Sequence, residues 1–114
     1  MPYNKTITYV PGASGAQASF DFDPSITPFN ATITVSLLSS ATATYKLQYT
    51  ATTYGVTTTD SQANWFDSPD IPAGTATNSF ASFLTPITRA RIVFSANLAT
   101  GNMVLDVIQG MSTN

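Results

Sequence analysis

The sequence predicts an all-β protein: a two-sheet antiparallel β-sandwich, jelly-roll-like, with seven or eight short strands and no substantial helix. Three observations carry this expectation. Threonine, β-branched aliphatics and aromatics dominate the 114 residues, and these types fit a pleated, half-buried surface. Apolar residues recur at every second position and rarely at the three- and four-residue spacing of a helix face. Six glycines and seven prolines cut the chain into short segments, the pattern of a sandwich or barrel rather than of a parallel sheet with crossover helices. The length suits one domain spanning 1–114 that can bury a core without staples.

The elements follow in order. "KTITYV" is a short first strand, and "PGASG" after it is a turn by its glycines and proline. "ASFDFD" is a second, with Ala18, Phe20 and Phe22 inward and Ser19, Asp21 and Asp23 outward. Pro24 and Pro28 close it, since proline lacks the donor a central ladder needs. In "ATITVSLL" the alternation is clearest: Ile33, Val35 and Leu37 share one face, Thr32, Thr34 and Ser36 the other. "ATYKLQYTA" repeats it, with Tyr45, Leu47, Tyr49 and Ala51 inward and Lys46, Gln48 and Thr50 toward water.

The threonine-rich run "TATTYGVTTTDSQAN" is expected to be a long exposed loop, with short strands at "NWFDS" and "NSFASFL". "ITRARIVFSANLATGNMVLDVIQG" is expected to form a hairpin around "ATGN", Gly101 supplying a positive φ angle. Leu98 then faces Met103, Phe94 faces Val107 and Ile92 faces Gln109, with Ala90 on the same side. Arg91, Val93, Val104, Asp106 and Ile108 fall together on the opposite side. That second face is partly apolar, so a second sheet or another subunit is expected to cover it.

Composition excludes much chemistry. Four cations face six acids, all aspartate, and histidine, glutamate and cysteine are absent. A net charge of −2 offers no basic stripe for a phosphate backbone, so no nucleic-acid partner is expected. The opening "MPYNKTITYV" lacks a basic segment followed by a long apolar core, and no stretch is long enough to span a bilayer; a soluble, unsecreted protein without a membrane partner is expected. Without cysteine there is no disulfide, thiolate metal site or thiol redox chemistry.

General acid–base and nucleophilic catalysis draw mostly on residue types missing here, so no enzyme is expected. Two aspartates could act as a glycosidase pair, with Asp21 and Asp23 or Asp67 and Asp70 as the candidates, and the same clusters could hold calcium. The plainer reading places them at turns, bonding nearby amides. No cofactor is expected. Asn4-Lys5-Thr6 and Asn30-Ala31-Thr32 match a glycosylation pattern that threonine abundance makes common by chance. Trp65 and Tyr54 could stack on sugars, or Trp65 and Phe66 could plug an open end of the sandwich. Adjacent residues point opposite ways, so Phe66 can anchor inward while Trp65 faces a partner.

The combination of "ATYKLQYT", "NWFDSPDI", "PITRARIVFSA" and "GNMVLDVIQG", covering Thr44 to Gly110, resembles small virion proteins of tailed bacteriophages that look like capsid decoration, or cement, proteins. The resemblance implies a structural virion protein, made in the host cytoplasm, that sits on the capsid surface. There it would bridge subunits of the major capsid protein, as a homodimer or homotrimer. It carries over no catalytic residue. The contact residues expected on this basis are Tyr54, Trp65, Phe66, Arg91, Val93 and Ile108. The alternative is a carbohydrate-binding or host-adhesion module of a phage tail or fibre, resting on Trp65 and Tyr54, to which a calcium ion at Asp67 and Asp70 could be added.

Overall fold

A computed structural model describes residues 3–22, 29–51 and 63–110. Among these residues the chain is all β, with strands β1 (Tyr3–Tyr9), β2 (Gly15–Ala16), β3 (Phe20–Asp21), β4 (Ala31–Leu37), β5 (Thr42–Thr50), β6 (Phe66–Asp67), β7 (Ser79–Phe83), β8 (Arg89–Ala99) and β9 (Met103–Gln109). They form two antiparallel sheets. One has the order β1-β9-β4-β7; the other has β2-β8-β5-β6, with β3 also on β8. Since β2 and β3 both pair with β8, they are two pieces of one interrupted strand, and the sandwich has four positions per sheet. Successive strands alternate between sheets except from β5 to β6, which is a jelly-roll path.

The inner faces follow the period-two pattern. Ile33 and Val35 on β4, Tyr45 and Leu47 on β5, Ile92 and Phe94 on β8, and Leu105 and Val107 on β9 are all buried. Burying each aliphatic side chain of this set contributes about 1.5–3 kcal/mol. Thr32, Thr34, Asp106 and Ile108 face outward and are exposed. Tyr45 lies fully inside because its hydroxyl is satisfied there, donating to the Thr77 carbonyl and sharing a 2.7 Å hydrogen bond with Ser79 Oγ.

The C-terminal segment differs from expectation. Its two strands exist, but β8 belongs to one sheet and β9 to the other, so they form no hairpin. Leu98, Phe94, Ile92, Ala90, Met103, Val107 and Gln109 are all buried as expected, yet they meet across the core instead of side by side on one sheet. Alternation tells which residues face inward but not which strand lies alongside.

Gly101 also has a different job. The positive φ, 78°, belongs to Thr100. A Cβ on Gly101 would collide with the Leu38 carbonyl oxygen and sit 2.8 Å from that of Ser39. Two crossing loops, β4–β5 and β8–β9, touch here, joined by the Leu38 amide donating to the Asn102 carbonyl at 2.9 Å. Glycine permits that approach.

Two smaller corrections concern strand ends. Ala18 is exposed, while Phe20 and Phe22 are buried and continue edge-to-face into Phe29, with ring centroids 5.9 and 6.2 Å apart. At the end of β5, Thr50 is buried and Ala51 exposed, the reverse of the alternation. Thr50 gives its carbonyl to both the amide and the hydroxyl of Thr88, at 2.9 and 3.1 Å. Arg89, its partner in register, is likewise buried, so the outer face is covered at this end.

Tyr9 departs from polar satisfaction in the core. Its hydroxyl is buried without a hydrogen-bond partner, and its ring stands edge-on to Phe94 at 5.7 Å. Burial pushes the phenol up to about 12 from 10.0. Because the folded state holds this proton more tightly than the unfolded one, stability does not depend on the group below pH 10 and falls as pH climbs from 10 through about 12.

Two predictions follow from this packing. Gly101→Ala should lower the unfolding free energy in urea by about 1–3 kcal/mol, because only backbone can give way; an unchanged midpoint would refute the close approach of the loops. Tyr9→Phe should leave stability at pH 7 unchanged or raised by up to about 1 kcal/mol, since it removes a lone buried hydroxyl. The same variant should lose less stability than the wild type between pH 10 and 12, measured by denaturation at each pH.

Candidate functional site

β6 pairs with β5 at the rim of its sheet, which sets Gln48 opposite Asp67 and Tyr49 opposite Phe66. On the other side of β5, Gln48 lies opposite Arg91 and Lys46 opposite Val93. The outer face therefore carries one polar row. Gln48 donates through Nε2 to Asp67 Oδ1 at 3.0 Å and accepts from Arg91 Nε at 2.9 Å. Lys46 Nζ lies 3.2 Å from Asp67 Oδ1. The row ends where the Arg91 guanidinium carbon stands 4.2 Å from the centre of the Trp65 ring, a cation–π contact. Hydrogen bonds from Gln48 and then Lys46 hold the Asp67 carboxyl below its ordinary value. The Asp67 side chain is largely exposed, so the pair contributes little to stability.

Phe66 turns the other way. Its ring packs 5.9 Å from Tyr49, which stands 5.3 Å from Phe83 on β7. β6 and β7 belong to different sheets, so these three rings close the seam between the layers along one side of the sandwich. Beside them runs a groove of about 290 Å³ lined by Tyr49, Ser68, Pro69, Asp70, Ser82, Phe83, Leu84 and Thr85. Phe66 is 49% exposed and Leu84 79% exposed; Phe80, on the outward side of β7, is 65% exposed. Half of the six large hydrophobics exposed among the described residues thus lie on β6, on β7 or just after it.

This geometry sorts the expected contact residues. Trp65, Arg91 and Val93 come together on the outer face of one sheet. Phe66 is separated from Trp65 by the strand's alternation and lies on the seam. Ile108 is on the outer face of the other sheet, because β8 and β9 part company, so it shares no surface with Arg91 and Val93. Tyr54 and Asp23 lie outside the described residues.

The aspartates are engaged separately. Asp67 is held by Lys46 and Gln48, Asp70 Oδ2 accepts from the Ser82 amide at 3.2 Å, and Asp106 accepts from Thr6 Oγ1 at 3.0 Å. Among the described residues no three His, Cys, Asp or Glu gather at a distance that could hold a metal. One ring face of Trp65 is occupied by Arg91, which leaves a sugar only the other.

Sequence reasoning missed Tyr49, Phe83 and Leu84 as parts of the seam, along with Phe80 beside it. The available signal was "FASFL", which places apolar residues at both parities of a strand.

No known protein family matches the chain, and no curated protein matches it. A solved structure of Bacillus endospore appendages, described as disulfide-linked pili, aligns over 98% of this chain and 88% of its own, with 13% identity and a TM-score of 0.48. That is a loose likeness of shape. The present chain has no cysteine.

If the seam is surface and not core, removing its exposed ring should cost little. Phe66→Ala is expected to lower stability by about 0.5–1.5 kcal/mol, the value of one aromatic pair, whereas Tyr45→Ala inside should cost about 3–5 kcal/mol. Equal losses in thermal or urea unfolding would show that Phe66 is core.

Proposed function

We propose that this protein is a structural, non-enzymatic subunit that works by binding other protein, as a decoration protein on the outside of a tailed-phage head. The observation that carries the protein-binding reading is the apolar seam, where Phe66, Tyr49, Phe83 and Leu84 line an open side of the sandwich next to a groove. Exposed aromatic and aliphatic side chains set beside polar ones are the usual anchors of protein interfaces. The phage setting rests on the resemblance of the segments between Thr44 and Gly110 to such virion proteins.

The polar row fits the same role. Lys46, Asp67, Gln48 and Arg91 bond to one another, which holds Trp65 in place beside the seam as a rigid rim. A subunit repeated over a shell holds on through many modest contacts, so no single deep pocket is needed.

The test uses purified protein and expanded heads of the phage that encodes it. Saturable binding at a fixed stoichiometry is expected, together with greater resistance of the heads to heat. Phe66→Ser and Leu84→Ser should each weaken binding by at least about tenfold while the free protein still unfolds cooperatively. Heads that take up no protein would rule out the decoration role, and a positive glycan array with no head binding would favour the adhesion module instead.

A further inference from the structure

Among the described residues, the four-stranded sheet ends on two open edges. There β1 pairs only with β9 and β7 only with β4, so each presents a row of backbone N–H and C=O groups. On β7 the Ser82 amide points off the edge, toward the Asp70 carboxylate. Antiparallel pairing alternates, so Phe80, two residues earlier, directs its N–H and C=O off the same edge.

Each edge also carries one charge, and the two are opposite. Lys5 on β1 lies across from Val107 on the inward side of the strand, yet it is exposed and has no ion-pair partner among the described residues. Asp70 is exposed beside β7, its carboxylate bonded to the Ser82 amide. A charge on an edge strand is a common guard against unwanted pairing. Opposite guards on the two edges of one sheet do something more selective. They reject β1 against β1, which would set Lys5 against Lys5, and β7 against β7, which would set Asp70 against Asp70. They attract β1 to β7.

Strand directions allow that join. β1 and β4 run one way, and β9 and β7 the other, so a second copy in the same orientation sets its β1 antiparallel to β7. We propose that the β7 edge accepts strand β1 of a second copy of this chain, joining the four-stranded sheets edge to edge, with Lys5 of one copy reaching Asp70 of the next. The incoming strand takes over the Ser82 amide and the Phe80 backbone groups, and Asp70 exchanges that amide for an ammonium. Such a contact is head-to-tail, so it closes into a ring or runs on as a chain of copies. It goes beyond head binding and needs no head.

Sedimentation equilibrium of the purified protein at low salt tests this. The mass of the wild type should rise with concentration, and less so at high salt, where the charges are screened. Lys5→Asp and Asp70→Lys should each weaken association by at least about tenfold. An equimolar mixture of the two should associate again, with the two variants alternating, because the β1 edge of each then meets a β7 edge of opposite charge on the other. The double variant carrying both changes should associate like the wild type. Asp21→Lys, an exposed site on β3 in the other sheet, should leave association unchanged, and thermal melts show that each variant is folded. A wild type that stays monomeric at every concentration leaves the charges as guards only and overturns the proposal. Single variants that associate as the wild type does, a mixture that stays monomeric, a double variant no better than the singles, or an Asp21→Lys variant that fails to associate would each overturn it too.

Discussion

Everything in this molecule depends on two alternating faces being pressed together. Neither sheet could hold its shape alone, since a few short strands with one greasy side are stable only when that side is covered. Ile33, Val35, Leu105 and Val107 of one layer meet Tyr45, Leu47, Ile92 and Phe94 of the other, and the chain crosses between layers at nearly every connection. The crossing loops are therefore as constrained as the core. Leu38 to Ser40 and Thr100 to Asn102 interlock at one end, which is why a glycine sits where backbone meets backbone.

The same crossing distributes the outward residues. Strands adjacent in sequence show their polar sides to opposite surroundings, so Arg91 and Ile108, although one connection apart, look away from each other. Residues distant in sequence become neighbours instead. Gln48 bridges Asp67 and Arg91, and Tyr49 bridges Phe66 and Phe83, because β5 is central in its sheet and β6 and β7 meet at the seam. A surface on this protein is thus assembled from three or four separate stretches of chain.

Scarcity of charge gives each ionised group unusual weight. Lys46, Asp67 and Arg91 are committed to one row on one sheet, where hydrogen bonds through Gln48 tie them together. Lys5 and Asp70 mark the open edges of the other sheet. A surface otherwise made of threonine, serine and asparagine has little electrostatic defence against association, so these few charges decide which contacts are attractive. The proposed roles, binding a shell through the seam and joining copies through the edges, both follow from surface that the fold leaves uncovered.

The sequence by itself determined the class of fold and most of the buried set. Period-two alternation in "ATITVSLL" and "ATYKLQY" names the inward residues, and the turn-rich punctuation gives the short strands, because both signals are local to a few residues of backbone. Tertiary structure alone decided which strands pair. A hairpin and a crossing arch bury the same residues of "RARIVFSANLATGNMVLDVIQ", and only the other strands competing for β8 and β9 distinguish them. The seam was hidden for the same reason: nothing in "LQYT", "WFD" or "SFASFL" says that Tyr49, Phe66 and Phe83 will touch, since that contact is made by the order of strands across two sheets and not by any pattern along one.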